Sequence, residues 1–390
     1  MTSNFSLKYI GVILLVLMTT QYIPIEGNGI SDIKFYVMCL CSFFVIFNIK
    51  YFSKALIWGL IYSFVVLLSI SFNPENFRLS TLIYKLSFVF MFILFYDLVF
   101  HRKIFEFGFF EKFIKVLLAA YIITLMFQQL FIFVGIQNVP LINLTYFLDR
   151  GIGSNSLSLE PSHSARIMTI LIFILIRIYE IKAKTNYAIK SLYENNKFLV
   201  FGFLWSMLTM GSATAIIGLV ILSLYFVQRK YLLRMIIFSV LVSFILNKID
   251  SNPFKRTIDT VNSIFTLNQQ EIYDTDGSAS LRILPLLNSY NFISDNIDKA
   301  TLWFGFGIDS NATLPSDEFR NISDLSDYGL ITYIFSLIFV FKCCIKNFLS
   351  MQTLFFFILL GAGISSIAYL WGILMLFSSL KYFELRKDII

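Results

Sequence analysis

A short stretch near the middle of the chain carries residue types from which a site for proton transfer and anion binding could be built. It reads Leu159-Glu160-Pro161-Ser162-His163-Ser164-Ala165-Arg166 and comes directly before an apolar run. Pro161 suits the first turn of a helix, and a carboxylate just before that turn is stabilised by the helix N-terminus. One interpretation is an ordinary helix entry capped by Glu160. The other makes Glu160 and His163 candidate catalytic groups and places Arg166 at a water-filled cavity.

A second candidate arginine lies far downstream, in a long acidic segment. Gly277-Ser278-Ala279-Ser280-Leu281-Arg282 is followed by apolar residues at every third or fourth position, which predicts an amphipathic helix starting near Ser280. Arg282 at the helix N-terminus would favour a phosphate group, because backbone N–H groups, the helix dipole and a planar guanidinium all recognise that group. The alternative is a solvated arginine in an acidic loop.

Neither the carboxylates nor the cysteines predict a metal site. Asp274-Thr275-Asp276-Gly277 holds two carboxylates, but Asp-Gly also makes turns, and no further ligand follows at calcium-loop spacing. The four cysteines all lie outside the acidic segment, so we expect neither a disulfide nor a cysteine metal site. No cofactor is predicted.

The composition excludes a soluble protein. Of the 390 residues, 57% are hydrophobic and 14% are charged, and the mean hydropathy is +0.76. A soluble surface needs roughly a quarter of its residues charged. Membrane β-barrels alternate apolar and polar positions, which these apolar runs do not. The fold class predicted is therefore an all-α polytopic membrane protein, with residues 1–390 as a single integral membrane domain.

About 12 transmembrane helices are expected, because a span needs about 20 mostly apolar residues. Two tight pairs are predicted to separate at the small-residue runs 211–214 and 361–363. Lysine and arginine concentrated in alternate short loops then place both termini in the cytoplasm. The predicted spans are Leu7–Ile23, Ile33–Ile49, Ala55–Phe72, Ser80–Phe100, Phe113–Ile136, His163–Ile181, Phe198–Met210, Ser212–Val227, Leu232–Lys248, Tyr328–Phe341, Gln352–Gly363 and Ser365–Leu380.

Two outward-facing loops, residues 137–162 and the large late loop 249–327, are long enough to form a site. The late loop holds 12 acidic and five basic residues, whereas the whole chain has a net charge of +7. The basic excess therefore lies in short loops, and it is not gathered into the single patch that a nucleic-acid partner would require.

Few charges fall inside the predicted spans. Lys85 and Asp97 lie near opposite ends of the fourth span, and we interpret them first as interface anchors and second as part of an ion pathway. Arg177, with Glu180 nearby, is expected to extend its side chain toward the membrane interface.

The order and sidedness of these features resemble the O-antigen polymerase (Wzy) family of the O-antigen polymerase and ligase superfamily. Besides the spans, the Glu-Pro-Ser before a middle helix and the late loop, three motifs between Leu159 and Leu330 are similar. They are a small-residue run ending in Arg282, an apolar-Gly-x-Gly turn at Leu302–Gly307, and Arg320-Asn321-Ile322 followed by Asp327-Tyr328-Gly329-Leu330. Ligases carry a histidine where this chain has Arg320, and this departure favours a polymerase.

The resemblance implies transfer of a growing glycan from undecaprenyl pyrophosphate onto an incoming lipid-linked repeat unit, without metal or nucleotide. The reaction would take place at the outer face of the bacterial inner membrane. By this resemblance Arg166, Arg282 and Arg320 would bind the pyrophosphate, Glu160 would be the base and His163 the second candidate. Membrane lipid is an expected partner, and a chain-length regulator protein is one that the resemblance allows.

The sequence is compatible with three other functions. A lipid-linked oligosaccharide flippase or another transporter would place paired charges near mid-membrane in repeated halves. An O-antigen ligase would share the lipid donor. A membrane scaffold without enzymatic activity is excluded by no residue.

Overall fold

The computed structural model describes residues 2–21, 32–47, 52–136, 154–184, 189–226, 293, 297–307, 323–361, 363–364 and 366–386. Within these ranges every regular element is a helix, which confirms the predicted all-α class. A single 3₁₀ turn spans Pro74–Asn76. The α-helices of these ranges are α1 (Thr2–Thr19), α2 (Asp32–Phe47), α3 (Lys54–Phe72), α4 (Leu79–Phe100), α5 (Phe107–Phe133), α6 (Pro161–Ala183), α7 (Ile189–Asn195), α8 (Lys197–Thr209), α9 (Ala213–Phe226), α10 (Ala300–Phe304), α11 (Ser323–Cys343), α12 (Met351–Leu359) and α13 (Ala368–Glu384).

Three of these helices, α3, α4 and α5, are long and apolar enough to cross a membrane. Shorter apolar helices occur within α1, α2, α8 and α9. Every predicted span except Leu232–Lys248, which lies outside the described residues, overlaps a helix, although the helix in Gln352–Gly363 ends at Leu359. The compatibility of the chain with a membrane is therefore confirmed, and the number of spans stays a prediction.

The two tight helix pairs are separate helices, as predicted. Gly211 follows α8 with φ +66°, and Gly361 follows α12 with φ +69°. A positive φ interrupts the helical backbone, and glycine adopts it without the steric cost that a Cβ atom brings. The small-residue runs are therefore helix ends.

The described residues fall into two compact units, the first of which contains α1–α4 and α10–α13. Aromatic side chains fill its core. Trp371 of α13 stacks on Phe88 of α4 with ring centroids 5.7 Å apart, and Phe339 of α11 meets Phe92 of α4 edge-on at 5.3 Å. A Cβ atom on Gly372 would lie 2.9 Å from the Met18 backbone, so a small residue lets α13 approach α1 closely.

The second unit contains α5–α9 together with residues 20–21. Its central helix is α6, of whose 23 residues 18 are buried. Glycines again permit close helix approach: a Cβ atom on Gly202 of α8 would overlap Ile122 of α5, and one on Gly218 of α9 would overlap Thr169 of α6. The sequence of α6 is accordingly apolar on nearly every face.

The charged residues near the C-terminal end of α6 are paired inside this unit. Arg177 donates to Glu180 over 2.7 Å and to the Tyr225 hydroxyl over 3.0 Å, and that hydroxyl donates to Glu180 over 2.6 Å. Glu180 is buried, and a buried carboxylate needs such partners. The Arg177 side chain thus binds these neighbours, and its extension toward the membrane interface stays a prediction.

Candidate functional site

A non-helical segment, Ser154–Glu160, leads into α6 and is called here the polar turn. The side chains of Ser154, Asn155, Ser156 and Ser158 are almost completely buried. Burying polar groups without hydrogen-bond partners is costly, so a turn of this kind is stable only if neighbouring groups pair with it. Apart from the Ser154 hydroxyl, which has no hydrogen-bond partner among the described residues, the adjacent helices and the turn itself supply those partners.

Helix α5 binds the centre of the polar turn. The Gln128 amide exchanges two hydrogen bonds with Ser156, accepting from its backbone N–H at 2.7 Å and donating to its carbonyl at 3.0 Å. The Ser156 hydroxyl donates to the Tyr121 carbonyl over 2.6 Å. These bonds hold Ser156 at φ +52°, a backbone conformation that residues other than glycine adopt only rarely.

The turn also bonds to itself and to the first turns of α6. Asn155 Nδ2 donates to the Ser158 carbonyl at 2.5 Å, and the Ser158 N–H donates to the Asn155 carbonyl at 3.2 Å. The Ser164 hydroxyl, from α6, donates to the same Asn155 carbonyl. The helix start is therefore fixed relative to the turn.

Gln21 joins this cluster from the segment that follows α1. Its backbone N–H donates to the Leu157 carbonyl over 2.8 Å, and its side-chain oxygen lies 3.4 Å from the Leu159 nitrogen. The same oxygen lies 3.0 Å from Nδ1 of His163. Sequence reasoning missed Gln21, because one glutamine at the end of an apolar run carries no periodic or motif signal.

Glu160 occupies the N-cap position of α6 but does not cap the helix with its side chain. Its carboxylate is 54% exposed, accepts a hydrogen bond from the Ser162 hydroxyl at 3.1 Å, and lies 3.8 Å from Nε2 of His163. The capping interpretation therefore does not describe this residue. The carboxylate is left accessible beside an imidazole.

The structure brings Glu160 and His163 together and places Arg166 one turn further along α6. Residues three apart on a helix lie on neighbouring parts of one face, so the three side chains follow one side of the helix start. Arg166 is half-buried. Arg282, Arg320 and the predicted amphipathic helix near Ser280 lie outside the described residues.

This arrangement can move a proton and bind an anion. Either the carboxylate or the imidazole could accept a proton from a bound hydroxyl, and at 3.8 Å, beyond hydrogen-bond distance, the carboxylate can still stabilise a protonated imidazole by its charge. A guanidinium one turn away can stabilise negative charge on a bound group. Among the residues that the structure describes, no cluster of three or more histidine, cysteine, aspartate or glutamate side chains could hold a metal ion.

A second turn, Leu302–Gly307, lies in the first unit and is called here the glycine turn; it consists of the last residues of α10 and the non-helical residues Gly305–Gly307 that follow. Side chains at and after the end of α3 hold its carbonyl groups: Ser69 Oγ donates to Phe304 at 2.5 Å, and Asn73 Nδ2 donates to Phe304 at 3.2 Å and to Gly305 at 3.1 Å. Asn76 Nδ2 donates to the carbonyl of Phe306 at 2.9 Å. The turn predicted around Gly305 and Gly307 is confirmed, with φ values of +79° and +91°.

The glycine turn packs against the start of α11. Gly307 N–H donates to the Asp327 carbonyl at 3.1 Å, and Gly329 interrupts α11 with φ +82°. A Cβ atom on Gly305 would overlap the Asp327 backbone, and one on Gly329 would overlap the Trp303 backbone. Two segments that the family resemblance picked out separately are therefore in contact.

Lys85 of α4 lies beside this contact. Its side chain is 3% exposed, and its Nζ lies 3.9 Å from the centre of the Tyr328 ring and 5.8 Å from that of Tyr62. A desolvated ammonium over an aromatic face is a cation–π interaction. Lys85 is thus part of the interior of its unit, and a position at the membrane surface does not describe it.

The described side chains that could carry a function lie at the polar turn and at the start of α6. The groups with chemical capacity there are Glu160, His163 and Arg166, with Gln21 behind them. No family model, no curated protein and no solved structure matches this chain.

Proposed function

We propose that the protein is a membrane glycosyltransferase that polymerises lipid-linked repeat units of a surface polysaccharide, of the O-antigen or capsule type. The observation that carries this proposal is the accessible Glu160 carboxylate, 3.8 Å from His163, at a helix start held in place by the polar turn. A carboxylate that does not cap its helix and stands beside an imidazole is suited to accept a proton from a hydroxyl group.

The donor in this reaction is a glycan on undecaprenyl pyrophosphate. It brings its own leaving group, so the reaction needs cations that stabilise the departing diphosphate more than it needs a metal or a nucleotide. Arg166 is the described candidate for this role, and Arg282 and Arg320 are the candidates from the late loop. Glu160 is proposed as the base that activates the acceptor hydroxyl, with His163 as the second candidate.

The contacts of Gln21 support an outward-facing site. Gln21 belongs to the end of the first predicted span, Leu157 to the predicted outer loop 137–162, and His163 to the start of the sixth predicted span. In the proposed topology of about 12 spans with cytoplasmic termini all three would lie on the outer side. The contact between them is compatible with that topology.

The apolar surface of the chain supports a lipid substrate. Helices α3, α4 and α5 are long enough to cross a membrane, and large apolar side chains such as Phe64 and Phe127 are exposed on them. Such a surface suits contact with lipid. In the proposed reaction the lipid carrier enters sideways between helices at the outer half of the inner membrane.

A transporter, such as a flippase for lipid-linked oligosaccharides, is the second candidate. The buried Arg177–Glu180 pair favours it, because ionisable groups inside predicted spans often line a transport pathway. Tyr225 completes this pair within the second unit, however, and Glu160 and His163 have no evident part in such a pathway.

Deletion of the gene, followed by gel analysis of surface glycan and of lipid-linked intermediates, separates these functions. A polymerase predicts loss of the ladder with a single repeat unit retained on the cell surface. Lipid-linked polymer that never reaches its final acceptor would instead indicate a ligase. Intermediates trapped on the cytoplasmic side would indicate a flippase.

Variants of the arginines test the mechanism in the deletion strain. Arg166→Ala and Arg282→Ala are each expected to abolish long-chain glycan while the protein still inserts in the membrane. Arg78→Ala, at the predicted outer end of the fourth span, is the matched control and should restore the ladder. A normal ladder from either site variant would remove that arginine from the mechanism.

A further inference from the structure

The contact between Gln21 and His163 determines which ring nitrogen carries hydrogen. Gln21 Oε1 lies 3.4 Å from the backbone nitrogen of Leu159 and 3.0 Å from Nδ1 of His163. A backbone N–H can only donate, so the Gln21 atom that faces it is the amide oxygen. Because that oxygen can only accept, a neutral His163 ring must carry its hydrogen on Nδ1 and its lone pair on Nε2.

Gln21 is itself held firmly enough to impose this state. Its backbone N–H donates to the Leu157 carbonyl over 2.8 Å, and the residue is 6% exposed. Both ends of Gln21 are therefore bound to the segment that carries His163. The ring in turn is mostly shielded, with 16% of its side chain exposed.

We propose that Gln21 is a positioning residue that keeps Nδ1 of His163 protonated, so that Nε2 of His163, the second candidate for the base, accepts the proton in place of Glu160. This inference rests on the proposed polymerase function and deepens it. Glu160, 3.8 Å from Nε2, then stabilises the imidazolium that forms. A hydrogen-bond acceptor behind a catalytic histidine and a charge that stabilises its protonated form are recurring features of histidine-dependent sites.

The proposed reaction transfers one proton and exchanges one bond at the anomeric carbon. The acceptor hydroxyl loses its proton to Nε2 of His163, and its oxygen electron pair forms the new bond to the anomeric carbon of the donor. The bond between that carbon and the pyrophosphate oxygen breaks, and its electron pair leaves on the pyrophosphate. The imidazolium later returns its proton to water.

Among the described residues, the charged groups at the start of α6 are Glu160, at its N-cap, and Arg166. The segment after α1 supplies the uncharged Gln21, and α5 supplies the Gln128 amide and the Tyr121 phenol to the adjoining polar turn. The charge state of His163 is therefore expected to respond to a new charge at position 21.

Nitrogen NMR of the imidazole tests the positioning without any assay of activity. The chain has only two histidines, so in the His101→Gln variant His163 is the one imidazole and both of its ring nitrogens can be assigned. With Gln21 present, the neutral ring should show a proton-bearing Nδ1 and a bare Nε2. In Gln21→Leu the Nε2–H form should appear. An Nε2–H ring in the presence of Gln21, or the same spectrum in both proteins, would overturn the proposal.

The pH dependence of polymerisation tests the catalytic consequence. Gln21→Glu keeps an oxygen acceptor for Leu159 and His163 but adds a negative charge, which favours the protonated imidazole. The base is then protonated up to a higher pH, so the acidic limb of the rate profile should move upward by about one pH unit or more. An unchanged limb in a folded Gln21→Glu protein would contradict the proposal.

Turnover of the Gln21→Leu variant is the complementary measurement, and the Gln129→Leu variant is its control. Gln129 is a buried glutamine of the same unit that bonds to Thr209 and Trp205. Gln21→Leu should lower turnover at saturating substrate by about 10-fold or more, because the base is misoriented, while Gln129→Leu should leave turnover nearly unchanged. Equal losses in both would reduce Gln21 to a structural role and overturn the proposal.

The NMR spectrum and the polymerisation assays together separate this inference from the proposed function. If unsubstituted protein in vesicles with lipid-linked repeat units forms no polymer, the polymerase assignment fails while the NMR result still reports on Gln21. If polymer forms but the substitutions at position 21 leave the NMR spectrum and the pH profile unchanged, the polymerase stands and the role of Gln21 fails.

Discussion

The polar turn and the glycine turn both carry non-helical backbone into the interior of a helical unit, and they do so by different means. Side chains of α5 and the turn's own Ser156 and Asn155 form the hydrogen bonds of the polar turn. At the glycine turn the backbone comes close to that of Asp327 and Gly329, and Ser69, Asn73 and Asn76 bind its carbonyl groups. In both cases the hydrogen bonds that a helix would supply come from side chains instead.

The two turns differ in the ionisable side chains that they carry. The polar turn ends in Glu160, whose carboxylate is accessible, and His163 and Arg166 follow on the same helix. The glycine turn contains no ionisable side chain between Leu302 and Gly307. A turn that is held by hydrogen bonds and followed by ionisable side chains can form a functional site. The glycine turn, made of glycine and apolar residues, instead allows close packing of the backbone.

The largest expected effect is on activity at the polar turn. Glu160→Gln keeps the size of the side chain and its hydrogen bond from Ser162 but removes the charge beside His163. Polymer formation should fall by about 100- to 10,000-fold, because the variant loses either the base itself or the charge that stabilises the protonated His163. Thermal unfolding should be unchanged, because the carboxylate is exposed and caps no helix. Glu75→Gln, in the 3₁₀ turn, is the control, and a full glycan ladder from Glu160→Gln would exclude the proposed role.

The next effect is on stability at the glycine turn. Gly305→Ala puts a Cβ atom on the Asp327 backbone in addition to its positive φ, whereas Gly361→Ala has the positive φ and open space. We expect a loss of about 3 kcal/mol or more of unfolding free energy for the first and about 1 kcal/mol for the second. Thermal unfolding in detergent measures both. Equal losses would mean that close packing does not define the glycine turn.

Gln128→Leu should destabilise the polar turn. The substitution leaves the buried N–H and C=O of Ser156 without their amide partner, at a cost of about 2–4 kcal/mol. Gln129→Leu should cost about 1 kcal/mol, because its partner Trp205 is exposed. Unfolding of the two variants under the same conditions gives the comparison, and a Gln128→Leu protein as stable as Gln129→Leu would show that the turn does not depend on α5.

The smallest effect is expected for the amide that holds the glycine turn. In Asn73→Ala the Phe304 carbonyl keeps its bond from the Ser69 hydroxyl, whereas the Gly305 carbonyl and the Ser69 carbonyl lose the bond from Asn73, and the cost is about 1 kcal/mol. The double variant Ser69→Ala with Asn73→Ala should cost more than the sum of the single variants, because Phe304 then loses both donors. Strict additivity in a double-mutant cycle would contradict shared binding of that carbonyl.

The sequence predicted most of the described helices and the places where the chain leaves them. Apolar runs identified the helices, and Gly211, Gly305, Gly307 and Gly361 all have the positive φ expected of glycine at a break or turn. These features are local, so residue type and spacing are enough to reveal them.

Part of the candidate site was also visible. Glu160, His163 and Arg166 were chosen for their spacing at a helix start, and the structure puts the carboxylate next to the imidazole. The sequence could not decide whether Glu160 caps its helix, since both interpretations require an acid at that position. The direction in which the carboxylate points decides it.

By itself the sequence determined that the chain is helical, highly apolar and equipped with a Glu-Pro-Ser-His helix entry, because these properties follow from composition and short-range periodicity. Only the tertiary structure decided that Gln21 reaches His163, that Gln128 supports Ser156, and that the glycine turn meets the start of α11. Those contacts join residues far apart in the chain. Such a partner is selected by the packing of whole helices, and no local pattern around either residue encodes it.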